Sequence, residues 1–158
     1  YVFDQLAGGA VMDLTCSFLN RHRDYGLLII RVGVGALFVI HGWPKITGGV
    51  EMWANLGGAM GVFGIGFAPS LWGFMAAASE FGGGLLLMLG FMARPAAFFL
   101  LFTMLVASLM HITGGDGFNT FSHPLKLVFV FAGLLLTGPG KYSIDAGIAS
   151  GSSGTGDS

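Results

Sequence analysis

Residues Phe67–Phe91 read FAPSLWGFMAAASEFGGGLLLMLGF, and this stretch decides the fold. A helix crossing a bilayer needs about 20 mostly apolar residues, within a range of about 17–25. The stretch meets that length. Pro69 falls in its first turn, where a missing N–H has no helical acceptor to lose. One carboxylate interrupts the run: Glu80 is the only charged residue between Glu51 and Arg94. A charge at bilayer depth is costly, so Glu80 is expected to face protein or water and to have a partner or a function.

Three more apolar segments lie around it. They are Tyr25–Trp43 (YGLLIIRVGVGALFVIHGW), Ala96–Ile112 (AAFFLLFTMLVASLMHI) and Leu125–Thr137 (LKLVFVFAGLLLT). The last is short, and its helix is expected to begin near Ser122 with Pro124 in the first turn. Pro44 is read as the end of the first segment, and Arg94-Pro95 as a tight connection. Gly114, Gly115 and Gly117 make a loop before the fourth segment. The expected fold class is an all-α membrane protein: a four-transmembrane-helix bundle with short amphipathic interfacial segments. Residues 1–24 form an N-terminal cytoplasmic or interfacial segment, 25–146 the membrane domain, and 147–158 a disordered C-terminal tail rich in Gly and Ser.

The rest of the composition agrees. The chain is 54% hydrophobic and 9% charged, against about a quarter charged in a typical soluble domain. A net charge of -1 without long runs leaves no nucleic-acid footprint. Cys16 is the only cysteine, so a disulfide framework and a cysteine-based metal or redox motif are excluded, and no metal site is expected. Residues 1–20 lack the basic start and apolar core of a cleavable signal peptide. Ala7, Val11, Leu14 and Phe18 would share one face of a short amphipathic helix. Met52, Leu56, Met60 and Phe63 do the same in a glycine-interrupted segment, 51–63, that is too weak for a fifth crossing.

Basic residues set the orientation. With four crossings, Arg21, Arg23, Arg94 and Lys141 share one side, while Lys45 and Lys126 lie toward the other. The positive-inside rule then puts both termini in the cytoplasm.

The same topology sorts the functional candidates. Glu80 lies about 16 Å, and Arg31 about 9 Å, from the cytoplasmic ends of their helices at 1.5 Å per residue. An Arg31–Glu80 pair is therefore expected, either as a structural ion pair or as a proton-handling group. His41, His111 and His123 gather at the opposite membrane level with Lys45 nearby. Interfacial placement, a shared site for a quinone head group, and axial ligation of a haem or pigment all remain open for them. Trp43, Trp53 and Trp72 at that level fit an aromatic belt. The glycines of Gly82-Gly83-Gly84 follow no strand and read as helix-packing positions, not a phosphate loop.

The motifs also resemble a known family. IRVGVGALFVIHGWPKI, with its Arg, its glycines and its His-Gly-x-x-Lys, is similar to the first helix of DoxX-type membrane proteins. ASEFGGGLLLMLGFMARPAA resembles their second helix and turn. HPLKLVFVFAGLLLTGPGKYSIDA resembles their last helix and its Gly-Pro-Gly-x-Tyr-Ser-x-Asp ending. The resemblance runs from about Leu27 to Ala146. It implies a four-helix bundle in a bacterial cytoplasmic (inner) membrane, with Arg31, His41, Lys45, Glu80, Arg94, Tyr142 and Asp145 as shared polar residues. Members of the family include a membrane subunit of thiosulfate:quinone oxidoreductase, and others are linked to thiol-redox and superoxide defence. Segments 1–24 and 48–66 depart from the family pattern.

Two functions follow as expectations. One is a quinone-linked redox subunit in which Glu80 handles a proton, beside Arg31, and His41, Lys45, His111 or His123 contact the head group. No intrinsic cofactor motif for flavin, haem or iron–sulfur is present, so electrons would come from a partner subunit. The other is a non-catalytic accessory subunit packing by its phenylalanines within a larger respiratory or photosynthetic complex. A channel ranks last, because few polar residues are available to line a pore.

Overall fold

The computed structural model describes residues 21–152; the amphipathic segment read at 7–18, and Cys16, lie outside the described residues. Every regular element among the described residues is helical. Among the described residues, four helices are long and apolar enough to cross a membrane. They are α1 (Arg23–Thr47), α3 (Pro69–Leu89), α4 (Ala93–Thr113) and α5 (Phe118–Thr137). A short α2 (Gly49–Gly57) and a 3₁₀ turn (Gly58–Phe63) lie between α1 and α3, and α6 (Ile144–Ser152) follows α5. Four alternating spans put both ends of the bundle on one face, called here the terminal face. The α2 hairpin marks the other, the hairpin face.

The core lies where α1, α3, α4 and α5 meet. Phe38, Leu87, Leu100, Met104, Phe131 and Leu134 belong to one buried cluster. The Phe38 and Phe131 rings meet edge to face at 5.1 Å, a geometry the aromatic quadrupole favours. Small residues let α4 approach closely: Ala93, Ala96 and Ala97 are buried in the same cluster. The large outward side chains Ile29, Leu37, Phe99, Phe129 and Leu136 are exposed, as expected where lipid rather than water is the solvent.

Several boundaries differ from the sequence reading, each for a local reason. α1 continues through Pro44 to Thr47. Proline costs one hydrogen bond but does not forbid a last turn once the helix is formed, and Thr47 adds a bond to the Trp43 carbonyl at 2.8 Å. Lys45 therefore sits on the helix. α4 takes in Arg94 and Pro95 in its first turn, where proline is tolerated. α5 begins at Phe118, so Pro124 lies inside it and not in its first turn. α6 is helical to Ser152 where composition suggested a tail from residue 147. Ser143 precedes its first residue and accepts a hydrogen bond from Ala146 N–H at 3.1 Å, the arrangement of a serine N-cap.

The hairpin is not a loose interfacial loop. A Cβ on Gly57 would lie 1.8 Å from the Pro69 carbonyl oxygen, and one on Gly73 would lie 1.7 Å from that of Trp53. Gly58 and Gly61 have nothing within 4 Å, but Gly57, which also weakens 51–63 as a span, is a point at which α2 meets the backbone of α3. Only a residue without a side chain permits that approach.

Candidate functional site

α3 is not uniform. Residues Ser79–Gly83 form a π-turn inside it, a widening often found at functional positions. Glu80 sits on this turn and is buried. Its partner is Lys45: Nζ lies 2.5 Å from Glu80 Oε2. The expected Arg31–Glu80 pair is not formed.

Side-chain direction explains the exchange. Helical side chains lean toward the N-terminus of their own helix. α1 runs from the terminal face to the hairpin face, and α3 runs back. Lys45 therefore leans inward from the hairpin face, while Glu80 leans outward to meet it. Arg31 leans the other way, toward the terminal face. Arg31, Gly35, Phe38 and Gly42 are the buried residues of α1, and Lys45 continues their 4-3-4-3 spacing. One helix stripe thus carries a cation near each end, about 21 Å apart over fourteen residues. Depth alone could not say which one Glu80 would meet.

Arg31 serves a different assembly. Its Nη2 donates to the Tyr142 carbonyl at 2.5 Å. It lies against Gly90, where a Cβ would fall 1.3 Å from Nη1; Gly90 also has φ +68°, so glycine is required there on both counts. Asp145 completes the arrangement from the other side. Its carboxylate accepts from the N–H groups of Met92 and Ala93 at 2.8 and 3.0 Å, capping α4 from a distant part of the chain. Asp145 N–H in turn donates to the Gly90 carbonyl at 3.0 Å. Lys141 N–H donates to Asp24 at 3.1 Å. Arg31, Tyr142 and Asp145 thus fasten the segment after α5 beneath the terminal ends of α1, α3 and α4.

The hairpin-face half holds a cavity of about 410 Å³. Its walls come from α2, the 3₁₀ turn, α3 and α4, with Lys45 at the end of α1. Met52, Leu56, Met60, Met75, Phe102 and Val106 make it mainly apolar, and its polar groups are Lys45, Asn55, Ser79, Glu80, Thr103 and His111. Ser79 accepts a hydrogen bond from Thr103 at 3.1 Å. Trp53 Nε1 donates to the Lys45 carbonyl at 2.9 Å, so the hairpin also holds the residue that carries the ammonium. Along α4 the lining runs from Phe99 to His111, about 18 Å. Met75, Phe99 and Phe102, which line the cavity, are exposed, so α3 and α4 do not seal it.

The histidines do not share this site. His111 lines the cavity, and its Nδ1 lies 2.6 Å from Asp116 Oδ2. His41 is exposed, with Nδ1 2.9 Å from the Leu37 carbonyl. His123 is exposed on α5. Neither lines the cavity, so the gathering of three histidines holds in depth only. No group of three or more His, Cys, Asp or Glu side chains suited to a metal occurs among the described residues. Asn55, Ser79 and Thr103 were not singled out from the sequence. Asn55 carried a signal, as the only amide in an apolar hairpin; Ser79 and Thr103 look like ordinary small helix residues.

The chain compares closely with known membrane proteins. A family model described as DoxX matches residues 26–112, which contain Arg31, Lys45, Glu80 and His111. Inner membrane protein YqjF of Escherichia coli (strain K12) is 37% identical over 132 residues, covering 80% of this chain and 95% of that protein. Inner membrane protein YphA of the same organism is 32% identical over 142 residues, covering 79% of this chain and 96% of its own length. An uncharacterized protein of Haemophilus influenzae is 30% identical over 133 residues, with 80% and 93% covered. No solved structure matches.

Proposed function

This chain belongs to the DoxX family, and we propose that it is the membrane subunit of a quinone-linked redox complex, receiving the carrier's head group in the cavity beside Lys45 and Glu80. Relatives named as inner membrane proteins and four candidate spans make it a multi-pass bacterial inner membrane protein.

The observation that supports the reading is a partly buried ion pair at the edge of an apolar cavity that α3 and α4 do not seal. A lipid-soluble carrier needs lateral entry, an apolar slot for its ring and a few placed polar groups. The ammonium of Lys45 has three donors, and Glu80 takes one. The others are available to a ring carbonyl. Glu80 is positioned to give or accept a proton at that oxygen, beside the ammonium of Lys45. His111 offers a further polar contact farther along the cavity. Electrons come from a partner subunit, since the chain has no motif for a redox group of its own. Arg31 has no part in the ligand site.

The test is binding to the purified protein. Short-chain ubiquinone and menaquinone analogues are titrated in mild detergent, and copurifying quinone is extracted and identified. Glu80→Gln and Lys45→Met should each weaken binding about tenfold or more, since a buried charge-assisted hydrogen bond contributes about 1.5–3 kcal/mol. Unchanged affinity in both variants, or no saturable binding at all, rejects the quinone reading. That result favours the accessory role, which rests on the outward-facing Phe98, Phe99 and Phe129.

A further inference from the structure

Lys45 and Glu80 meet only because two helix backbones meet one turn away. Gly42 of α1 is buried and faces the π-turn directly. A Cβ there would lie 2.5 Å from Phe81 N, 2.8 Å from Phe81 Cα and 3.0 Å from the Glu80 carbonyl carbon. All three are backbone atoms, so no side chain can rotate out of the way. An ordinary contact at such a position is about 3.4 Å or more, and in a close-packed interior the missing space must come from moving a helix. Lys45 follows Gly42 by three residues, on the same face of α1. A shift of α1 against the π-turn therefore acts on the ammonium–carboxylate distance with almost no lever arm.

We infer that Gly42 is a positioning residue for the Lys45–Glu80 pair: its backbone contact with the π-turn fixes the register at which carboxylate and ammonium meet. The inference concerns the site of the proposed quinone cavity, but it does not depend on what the cavity binds. Gly35 provides the comparison. A Cβ on Gly35 would lie 2.7 Å from the Gly84 carbonyl oxygen and 2.9 Å from Met88 N, an equally tight contact between the same two helices. It lies two turns farther from the pair. Both glycines pack the helices, and only Gly42 touches the turn that carries Glu80.

The test reads the contact itself. Lys45–Glu80 is the only Lys–Glu ion pair among the described residues, and no lysine or glutamate lies outside them. Membranes containing ¹⁵N-lysine and ¹³C-glutamate protein should show one strong nitrogen–carboxyl dipolar contact in solid-state NMR. Gly42→Ala should abolish that contact, and Gly35→Ala should keep it. Retention in a folded Gly42→Ala protein overturns the inference, as does equal loss in both variants. Stability gives a second measurement if Gly42→Ala folds poorly. Its drop in thermal midpoint should be larger in the native background than in Lys45→Met/Glu80→Gln, where no pair remains to be displaced. Equal drops would reduce Gly42 to packing alone and overturn the inference. Absence of quinone binding in the unaltered protein leaves the NMR result standing and removes only the proposed function.

Discussion

Glu80 shows how one carboxylate can be held within a bundle. It is 5% exposed and would be untenable as a lone anion in hydrocarbon. Lys45 makes it tolerable, and is itself only partly buried. The pair is a poor source of net stability, because desolvation offsets much of the attraction. Breaking it from one side is a different matter. Lys45→Met leaves the buried carboxylate unpaired and should destabilise the protein by about 1–3 kcal/mol, the order for a buried polar group that loses its partner. Lys45→Met/Glu80→Gln should recover most of that loss. Thermal midpoints of the three proteins in one detergent decide the point, and a double variant no more stable than Lys45→Met would count against the pairing. Asp145 is the second informative residue. Asp145→Ala removes the cap on two N–H groups of α4 and should cost about 1–2 kcal/mol, readable as a lower midpoint with quinone binding unaffected.

At the scale of elements, the α2–α3 junction is the most sequence-sensitive contact. Gly73→Ala places a methyl group into the Trp53 carbonyl, so α2 must leave α3, and one wall of the cavity goes with it. Loss of folded protein on gel filtration is the expected outcome. Gly82→Ala, with nothing within 4 Å of the new carbon, should be neutral although Gly82 directly precedes Gly83 and Gly84 in sequence. Identical residues in one run thus differ by which face of the helix they occupy. That distinction is invisible in the string Gly82-Gly83-Gly84, because helix phase past a π-turn no longer follows the 3.6-residue period. The same limit explains α5. Pro124 reads as a first-turn proline by rule, and only the helical turn ahead of it, anchored on Gly117 by the Thr120 N–H at 2.9 Å, shows that the helix starts earlier.

The whole molecule is two-sided. One face carries the clamp of Arg31, Tyr142 and Asp145; the other carries the hairpin and the cavity. The basic residues predict that the terminal face is cytoplasmic. In a Cys16→Ser background, Gly58→Cys on the hairpin should react with an impermeant maleimide in spheroplasts. Lys141→Cys should react only after permeabilisation. The reverse pattern would invert the orientation and put the cavity on the cytoplasmic side.

The four spans, their order and the cost of a charge at Glu80 were legible in the sequence by itself. Each depends on length and hydropathy, which the bilayer reads one segment at a time. The partner of Glu80 was not, and neither were the separation of His41 and His123 from His111 or the structural duty of Arg31. Depth along a helix follows from counting residues, but lateral meeting depends on which faces turn toward each other and which way side chains lean. Antiparallel packing of α1 on α3 at Gly35 and Gly42 made that choice. It turned Glu80 toward Lys45 and left Arg31 to hold the far end of the bundle closed.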